Sequence, residues 1–166
     1  MKLGDGVEQA IHSVAMLAGL SPDGVLSAAA LAEFHGVSTS YLLKHLQALS
    51  NAEIVQTVPG PRGGYRLARP ASDVTLLDIV LAVEGSEPAF RCKEIRQRGP
   101  NPLPASYMTR PCEINAAMLR AERAYRAELG KVSIADLAAR VAARDDGAIA
   151  ARSCAFFDLH ERKART

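Results

Sequence analysis

Residues 59–70 read Pro59-Gly60-Pro61-Arg62-Gly63-Gly64-Tyr65-Arg66-Leu67-Ala68-Arg69-Pro70. Glycines and prolines crowd around Arg62 and make a tight tip, after which Tyr65 and Leu67 alternate with Arg66 at the two-residue period of a strand. The preceding stretch, Ile54–Val58, is rich in β-branched residues. It is expected to be the first strand of a β-hairpin that closes through this tip.

Working upstream, Val7, Ala10, Ile11, Val14, Ala15, Leu17 and Ala18 recur at helical spacing and predict a helix over residues 5–19. Ser21-Pro22 within Gly19–Gly24 ends it. Ser27 suits the N-cap of a short helix running through Phe34, with Ala30, Leu31 and Phe34 facing inward. His35-Gly36-Val37-Ser38 then makes a turn: Gly36 tolerates positive φ, Val37 plugs the core, and Ser38 caps the next helix. That helix reaches about Ala52 with Leu42, Leu43, Leu46 and Leu49 inside. Two helices joined by a tight turn and followed by a hairpin have the order of a winged helix–turn–helix domain. The fold class expected is mostly α with a small β-hairpin wing.

Downstream, Thr75 followed by Asp78 starts another helix, which ends at Glu84. Pro88, Gly99, Pro100, Pro102, Pro104 and Pro111 mark residues 85–111 as a long loop, with Cys92 and Cys112 near its two ends. Loops of this length in compact domains are usually functional or disordered. Ile114, Met118, Ala121, Tyr125 and Leu129 line one face of a long helix from 112 to 130, a natural dimer seam. Ser133 caps a further helix to about Ala143. Asp145-Asp146-Gly147 breaks the chain before a tail carrying Arg152, Arg162, Lys163 and Arg165, expected to be mobile apart from a short helix around Phe156. The organisation expected is thus a winged helix–turn–helix DNA-binding domain at 1–84, a sensor loop at 85–111, a dimerisation helix with the following helix at 112–143, and a mobile tail at 144–166.

Bulk properties narrow the class. The 166 residues are 48% hydrophobic, enough for a real core, and include no tryptophan. No run is long enough to cross a membrane, and the N-terminus lacks the apolar run of a secretory signal, so a cytoplasmic protein is expected. The overall charge of +2 is uninformative, but its distribution is not. Between residues 36 and 70, Lys44, Arg62, Arg66 and Arg69 stand against Glu53 alone, whereas residues 1–35 set Lys2 against Asp5, Glu8, Asp23 and Glu33. A basic segment beside an acidic one suggests an oriented face for a polyanion. Three cysteines argue against a disulfide framework and leave buried thiols, metal ligands or a redox sensor. No Walker loop, dinucleotide fingerprint or Ser-His-Asp arrangement is present, which speaks against an enzyme.

A recognition helix presents the residues near its N-terminus to base edges in the major groove of double-stranded DNA. Here those are Ser38, Thr39, Ser40, Tyr41 and Lys44. Small hydroxyls permit close approach, the helix start favours phosphate, and Lys44 neutralises charge. Arg62 at the hairpin tip suits the negative minor groove, and Gly63 and Gly64 let the backbone come close. The competing reading is a winged-helix adaptor that contacts only proteins, with Tyr41 in the core and Gly63-Gly64 a plain tight turn.

The same residues carry a family pattern. Met1-Lys2-Leu3, Gly6-Val7-Glu8, Val37-Ser38-Thr39-Ser40-Tyr41-Leu42, Gly63-Gly64-Tyr65-Arg66-Leu67-Ala68-Arg69-Pro70, Thr75-Leu76-Leu77-Asp78-Ile79-Val80 and Val83-Glu84-Gly85 together resemble the Rrf-two family of bacterial regulators, of the IscR and NsrR type. The resemblance covers residues 1 to about 140. It implies dimeric transcription factors that bind palindromic operators, many of which sense redox state, nitric oxide or iron–sulfur supply through a cluster. The helix after the loop is the dimerisation helix in such proteins.

One feature departs from the pattern. Cluster-binding members of that type carry three closely spaced cysteines in the loop, whereas this chain has Cys92 and Cys112 with nineteen residues between them, and Cys154 in the tail. Glu8 matches a glutamate of the family's opening motif, and His12 follows at i+4 on the same helical face. The run from Cys92 to Pro100, with the distant Cys112, resembles a 2Fe-2S-binding, redox-sensing branch. That resemblance implies a 2Fe-2S cluster held by Glu8, His12, Cys92 and Cys112, with the helix pair supplied by the other subunit of the homodimer. Histidine can replace cysteine at such clusters. Zinc, a thiol/disulfide switch, or no cofactor at all with Glu8 and His12 a solvent-facing pair, are the other readings of the same residues. His35 is expected to be a hydrogen-bonding residue or a partner standing behind a ligand, His45 to face the recognition-helix surface, and Cys154 to be a spare thiol.

Overall fold

The structure, a computed structural model, describes residues 3–164; Met1, Lys2 and Arg165, named above, lie outside the described residues. The body is built from α1 (Asp5–Leu17), α2 (Ala28–His35) and α3 (Thr39–Asn51), joined by the two-residue strand β1 (Gly24–Val25) and the turn at Gly36. Ala10 and Val14 of α1 meet Leu31 of α2 and Leu42, Leu46 and Leu49 of α3, all fully or almost fully buried. Ser27 caps α2 as its sequence suggests, accepting from the Ala30 N–H at 3.1 Å. Gly36 supplies the left-handed turn at φ +66°, a conformation costly for any residue with a Cβ.

β2 (Val55–Val58) and β3 (Gly64–Leu67) form the antiparallel hairpin in the register Val55 opposite Leu67. Its root is pinned to α3 by the Ile54 N–H donating to the Leu49 carbonyl at 3.0 Å. The structure therefore has the mostly helical, hairpin-bearing architecture that the sequence implies.

α4 (Leu76–Glu84) and α6 (Ile134–Ala142) begin side by side, each with a complete capping box, Thr75 with Asp78 and Ser133 with Asp136. Backbone bonds lock the two starts together: Ile134 N–H to Val74 carbonyl, and Leu76 N–H to Val132 carbonyl, both 2.9 Å. Ile134 is thereby fully buried in the main core. Between them the chain runs out through the loop, which holds two short 3-10 turns, and returns along α5 (Glu113–Leu129). No residue of α5 is buried, and Ile114 and Met118 on its apolar stripe are 66% and 45% exposed. Among the described residues, nothing covers the N-terminal part of this stripe at Ile114 and Met118.

Three local expectations are corrected. Leu43 points outward at 42% exposure, because one residue step carries it about 100° round α3 from the Leu42, Leu46 and Leu49 seam. Ser38 occupies the N-cap position of α3 but bonds the Ser40 hydroxyl at 3.0 Å instead of a backbone N–H. The tail expected to be mobile contains α7 (Ala148–His160), and β4 (Arg162–Lys163) pairs antiparallel with β1. The Asp145-Asp146-Gly147 stretch, which looks like a breaker, is the cap of α7: the Asp145 carboxylate accepts from the Ile149 and Ala150 N–H groups at 3.0 and 2.9 Å. Those donors hold its carboxyl below the usual range.

α7 is held by aromatic packing. Phe156 meets Phe34 edge-on at 4.8 Å, Phe157 lies against Gly19, and the Arg152 guanidinium sits 4.3 Å above the Phe34 ring. Phe157→Ala should lower the unfolding free energy by about 1–3 kcal/mol, less than a fully buried phenylalanine because the ring is only partly covered. Urea denaturation measures it. An unchanged midpoint would mean that α7 is not docked.

Candidate nucleic-acid interface and sensor residues

The exposed side chains at the start of α3 are Ser38, Thr39, Ser40, Tyr41 and Lys44, all outward-facing. Tyr41, at 45% exposure, is a surface residue and not a core one. Its ring packs edge-on against His45 at 4.7 Å. His45 corrects the sequence expectation: it turns inward, is 7% exposed, and fills the space beside Gly6 of α1. A Cβ on Gly6 would collide with the imidazole, so the glycine fixes how closely α1 approaches the recognition helix. Burial first, and then the charge of Lys44, hold the His45 imidazole below its ordinary pKa, while Glu84 acts weakly in the opposite sense.

At the hairpin tip Arg62 is exposed, and Gly60 takes φ +104°. Gly63 and Gly64 are fixed by the fold itself. A Cβ on Gly63 would enter the Val58 carbonyl, and one on Gly64 would enter that of Leu26. Behind the tip Arg66 donates Nη2 to the Gln56 amide oxygen at 2.9 Å, in the amide orientation that satisfies both groups. Arg69 instead pairs with Asp78 at 3.4 Å, which removes it from the basic set.

The candidate sensor residues fall into two separate pairs. Glu8 and His12 are exposed on one face of α1, and the His12 ring lies 5.7 Å from that of His35 at the end of α2. His35 carries a buried Nε2 without a hydrogen-bond partner, where a bonded residue was expected. Burial, followed by His12 and Arg152, lowers its pKa.

Cys92 and Cys112 come together from the two ends of the loop, both as free thiols within reach of each other. Cys112 caps α5, and the N–H groups of Asn115 and Ile114, the Arg96 guanidinium and the Cys92 thiol favour its thiolate, lowering its pKa. The Cys92 thiol donates to Glu94 Oε1 at 3.5 Å. Although the Glu94 backbone N–H favours the Cys92 thiolate, desolvation together with the Glu94 carboxylate and Cys112 leaves its pKa raised. Glu94 also holds Arg96 in a two-pronged contact at 2.7 and 3.0 Å and takes φ +46°, a strained value for a residue with a Cβ. In the sequence Glu94 and Arg96 stand only as part of the Cys92–Pro100 run, neither with a role of its own; their pairing appears only in the structure.

This donor set fits half of a metal or cluster site. Two adjacent thiols, one already inclined to the thiolate, are what soft iron or zinc requires. Among the described residues no three His, Cys, Asp or Glu side chains gather at one point within the chain, so the α1 pair is not brought to the cysteine pair.

A helix–turn–helix with a basic hairpin, a projecting amphipathic helix and a cysteine-bearing loop defines the winged-helix class of transcriptional regulators. Comparison with known proteins makes the family specific: the model of the Rrf2 family, described as iron-dependent transcriptional regulators, matches residues 3–140, and the chain belongs to that family. Lactococcus lactis YffB is 31% identical over 138 residues, covering 83% of this chain and 87% of that protein. The transcriptional regulator IscR of Photobacterium profundum is 39% identical over 72 residues, covering 43% of this chain and 42% of that one. Among solved structures, the Bacillus subtilis global cysteine regulator CymR superposes with a TM-score of 0.65 at 21% identity, over 84% of this chain and 98% of that one. This last likeness is one of fold.

The buried imidazoles give a pH signature. Their pKa values are lower in the folded chain than in the unfolded one, so the unfolded state takes up protons first. Their contribution to stability is complete above about pH 6.5 and is lost as the pH falls below it. The urea midpoint should drop between about pH 7 and about pH 5.5, and His45→Gln should flatten that drop. A pH dependence unaltered by His45→Gln would contradict the burial assigned to this ring.

Proposed function

We propose that this chain is a dimeric, redox-responsive transcriptional regulator that reads a palindromic DNA operator with α3 and the wing. The observation that carries the reading is the pairing of an exposed, hydroxyl-rich start of α3 with an arginine-tipped hairpin on one rigid body. Ser38, Thr39, Ser40 and Tyr41 would face base edges and nearby sugars, and Lys44 the phosphates. Arg62 would enter the minor groove, with Gly63 and Gly64 shaping the tip that carries it. The apolar stripe of α5 would be covered by its copy in a second chain, making the homodimer.

The signal would enter through a 2Fe-2S cluster held by Cys92 and Cys112 of one chain and by Glu8 and His12 of the partner. Such a cluster supplies a one-electron redox centre whose potential rises when histidine replaces cysteine. The chain's own part is to offer two thiols already side by side and two exposed donors one helical turn apart on α1. Because α1 bears on α3 through Gly6 and His45, a pull on Glu8 and His12 is a pull on the helix that sets the recognition helix. A dimer must match its half-site spacing, so a small reorientation removes affinity.

A second reading is favoured by one observation, the proximity of the two thiols. Oxidation of Cys92 and Cys112 to a disulfide would tie the loop's two ends and act on α5 without a metal. The ultraviolet–visible spectrum of protein prepared without oxygen separates the two. The cluster reading expects visible charge-transfer bands, with matching iron and sulfide, that are lost in Cys92→Ala and weakened or shifted in His12→Ala. Colourless protein free of iron and sulfide would eliminate it. For the DNA reading, Lys44→Ala and Arg62→Ala should each weaken salt-dependent duplex binding, the former by about one unit of salt slope.

A further inference from the structure

The C-terminal strand lies beyond the residues matched by the family model, yet it reaches the wing. β4 pairs with β1 in the register Val25 opposite Arg162 and Gly24 opposite Lys163. β1 is in turn joined to the hairpin, because Leu26 and Tyr65 exchange two backbone hydrogen bonds at 2.8 and 3.1 Å. The wing and the β1–β4 pair are two two-stranded sheets joined by this one bridge. One residue back from the Leu26–Tyr65 pair, Val25 lies level with Arg66, and Arg66 with Gln56. Residues level across antiparallel strands share a face, so Gln56, Arg66, Val25 and Arg162 form one row.

The row has the character of a seat for a polyanion. Val25, between Arg66 and Arg162 in this row, is fully buried. Arg162 reaches along the row and donates Nη1 to the Pro61 carbonyl at 3.2 Å, one residue from the wing-tip Arg62. Among the described residues, none of Arg62, Arg66 and Arg162 has a carboxylate within salt-bridge distance. Glu161, the residue before β4, is engaged by the Ser21 N–H and hydroxyl, and Asp23, which precedes β1, makes no salt bridge among the described residues. Unneutralised guanidiniums at Arg66 and Arg162 on this row, with that of Arg62 at the adjoining tip, favour a polyanion lying across them.

We propose that β4 is a third segment of the DNA interface, in which Arg162 steadies the wing tip through Pro61 and directs its remaining N–H donors, beside Arg66, at phosphates flanking the groove that Arg62 enters. The proposal rests on the DNA-binding reading above and adds to it a strand outside the helix–turn–helix. Arg162 is a positioning residue for the wing and a phosphate ligand. It carries no base specificity, since phosphate contacts fix register without reading sequence.

Lys163 provides the matched control, because adjacent strand residues point to opposite faces and its charge is the same. Binding of the full chain would be followed by fluorescence anisotropy across a salt series. Two labelled duplexes serve, one recovered from a random-sequence pool by the wild-type protein and one scrambled. Arg162→Gln should weaken both alike and lower the slope of log affinity against log salt by about 1 per bound protomer. Arg162→Lys should keep the slope, and Lys163→Gln should leave it unchanged. An unchanged slope in Arg162→Gln, or an equal fall in Lys163→Gln, would overturn the proposal while Arg62→Ala still weakens binding. If the wild type shows no salt-dependent binding to either duplex, the DNA-binding reading itself fails.

Discussion

The placement of the wing against the helical body is governed by the backbone pairing of Leu26 with Tyr65, two hydrogen bonds of 2.8 and 3.1 Å between the segment leading into α2 and the wing. Without them the hairpin would lose its backbone tie to the segment before α2, and two-stranded ribbons of that size are barely stable by themselves. The pairing demands glycine at 64, since any side chain there would enter the Leu26 carbonyl. With it, the wing's direction is set relative to α2 and hence to α3, so the two elements proposed to face DNA form one rigid tool. The same segment offers its other edge to β4, which covers an otherwise open strand edge.

A second constraint links the tool to the proposed sensor. α1 uses one face to receive His45 at Gly6 and the other to expose Glu8 and His12. A rigid helix cannot move one face without the other. The loop is tied to α5 in a comparable way: Glu122 accepts from the Ala89 N–H at 3.0 Å, and Arg126 binds the Ser86 and Glu87 carbonyls at 2.9 and 3.1 Å. The cysteines at the loop ends are therefore attached to the projecting helix, and the α1 pair to the recognition helix. Joining the pairs across a dimer would couple two rigid parts that a single chain keeps apart.

Much of this was legible in the sequence because it depends on local chemistry. The Ser27 cap, the Gly36 turn, the Thr75–Asp78 box and the glycine-rich hairpin tip each follow from what a few adjacent residues can do. What sequence reading missed depends on partners distant in the chain. Leu43 and Leu42 are equally apolar, and only the packing of α1 and α2 decides which is buried. His45 looks like a surface residue until Gly6, far upstream, opens a space for it. The final segment reads as polar and broken because its anchors, Phe156 and Phe157, act only once Phe34 and Gly19 are brought beneath them. As for the proposed cluster ligands, the i, i+4 spacing puts Glu8 and His12 on one face, but nothing local to either pair specifies the distance between them and the cysteines.

In the proposed dimer the two ligand pairs meet between chains. Anaerobic subunit exchange of differently tagged proteins, one Glu8→Ala/His12→Ala and the other Cys92→Ala/Cys112→Ala, tests it most directly. If the pairs meet in trans, each variant alone lacks a complete site, but the purified heterodimer regains one intact site and binds one cluster, read as iron, sulfide and visible absorbance. If the pairs met within a chain, or were not ligands at all, the heterodimer would gain nothing over its parents, and that result would contradict the account.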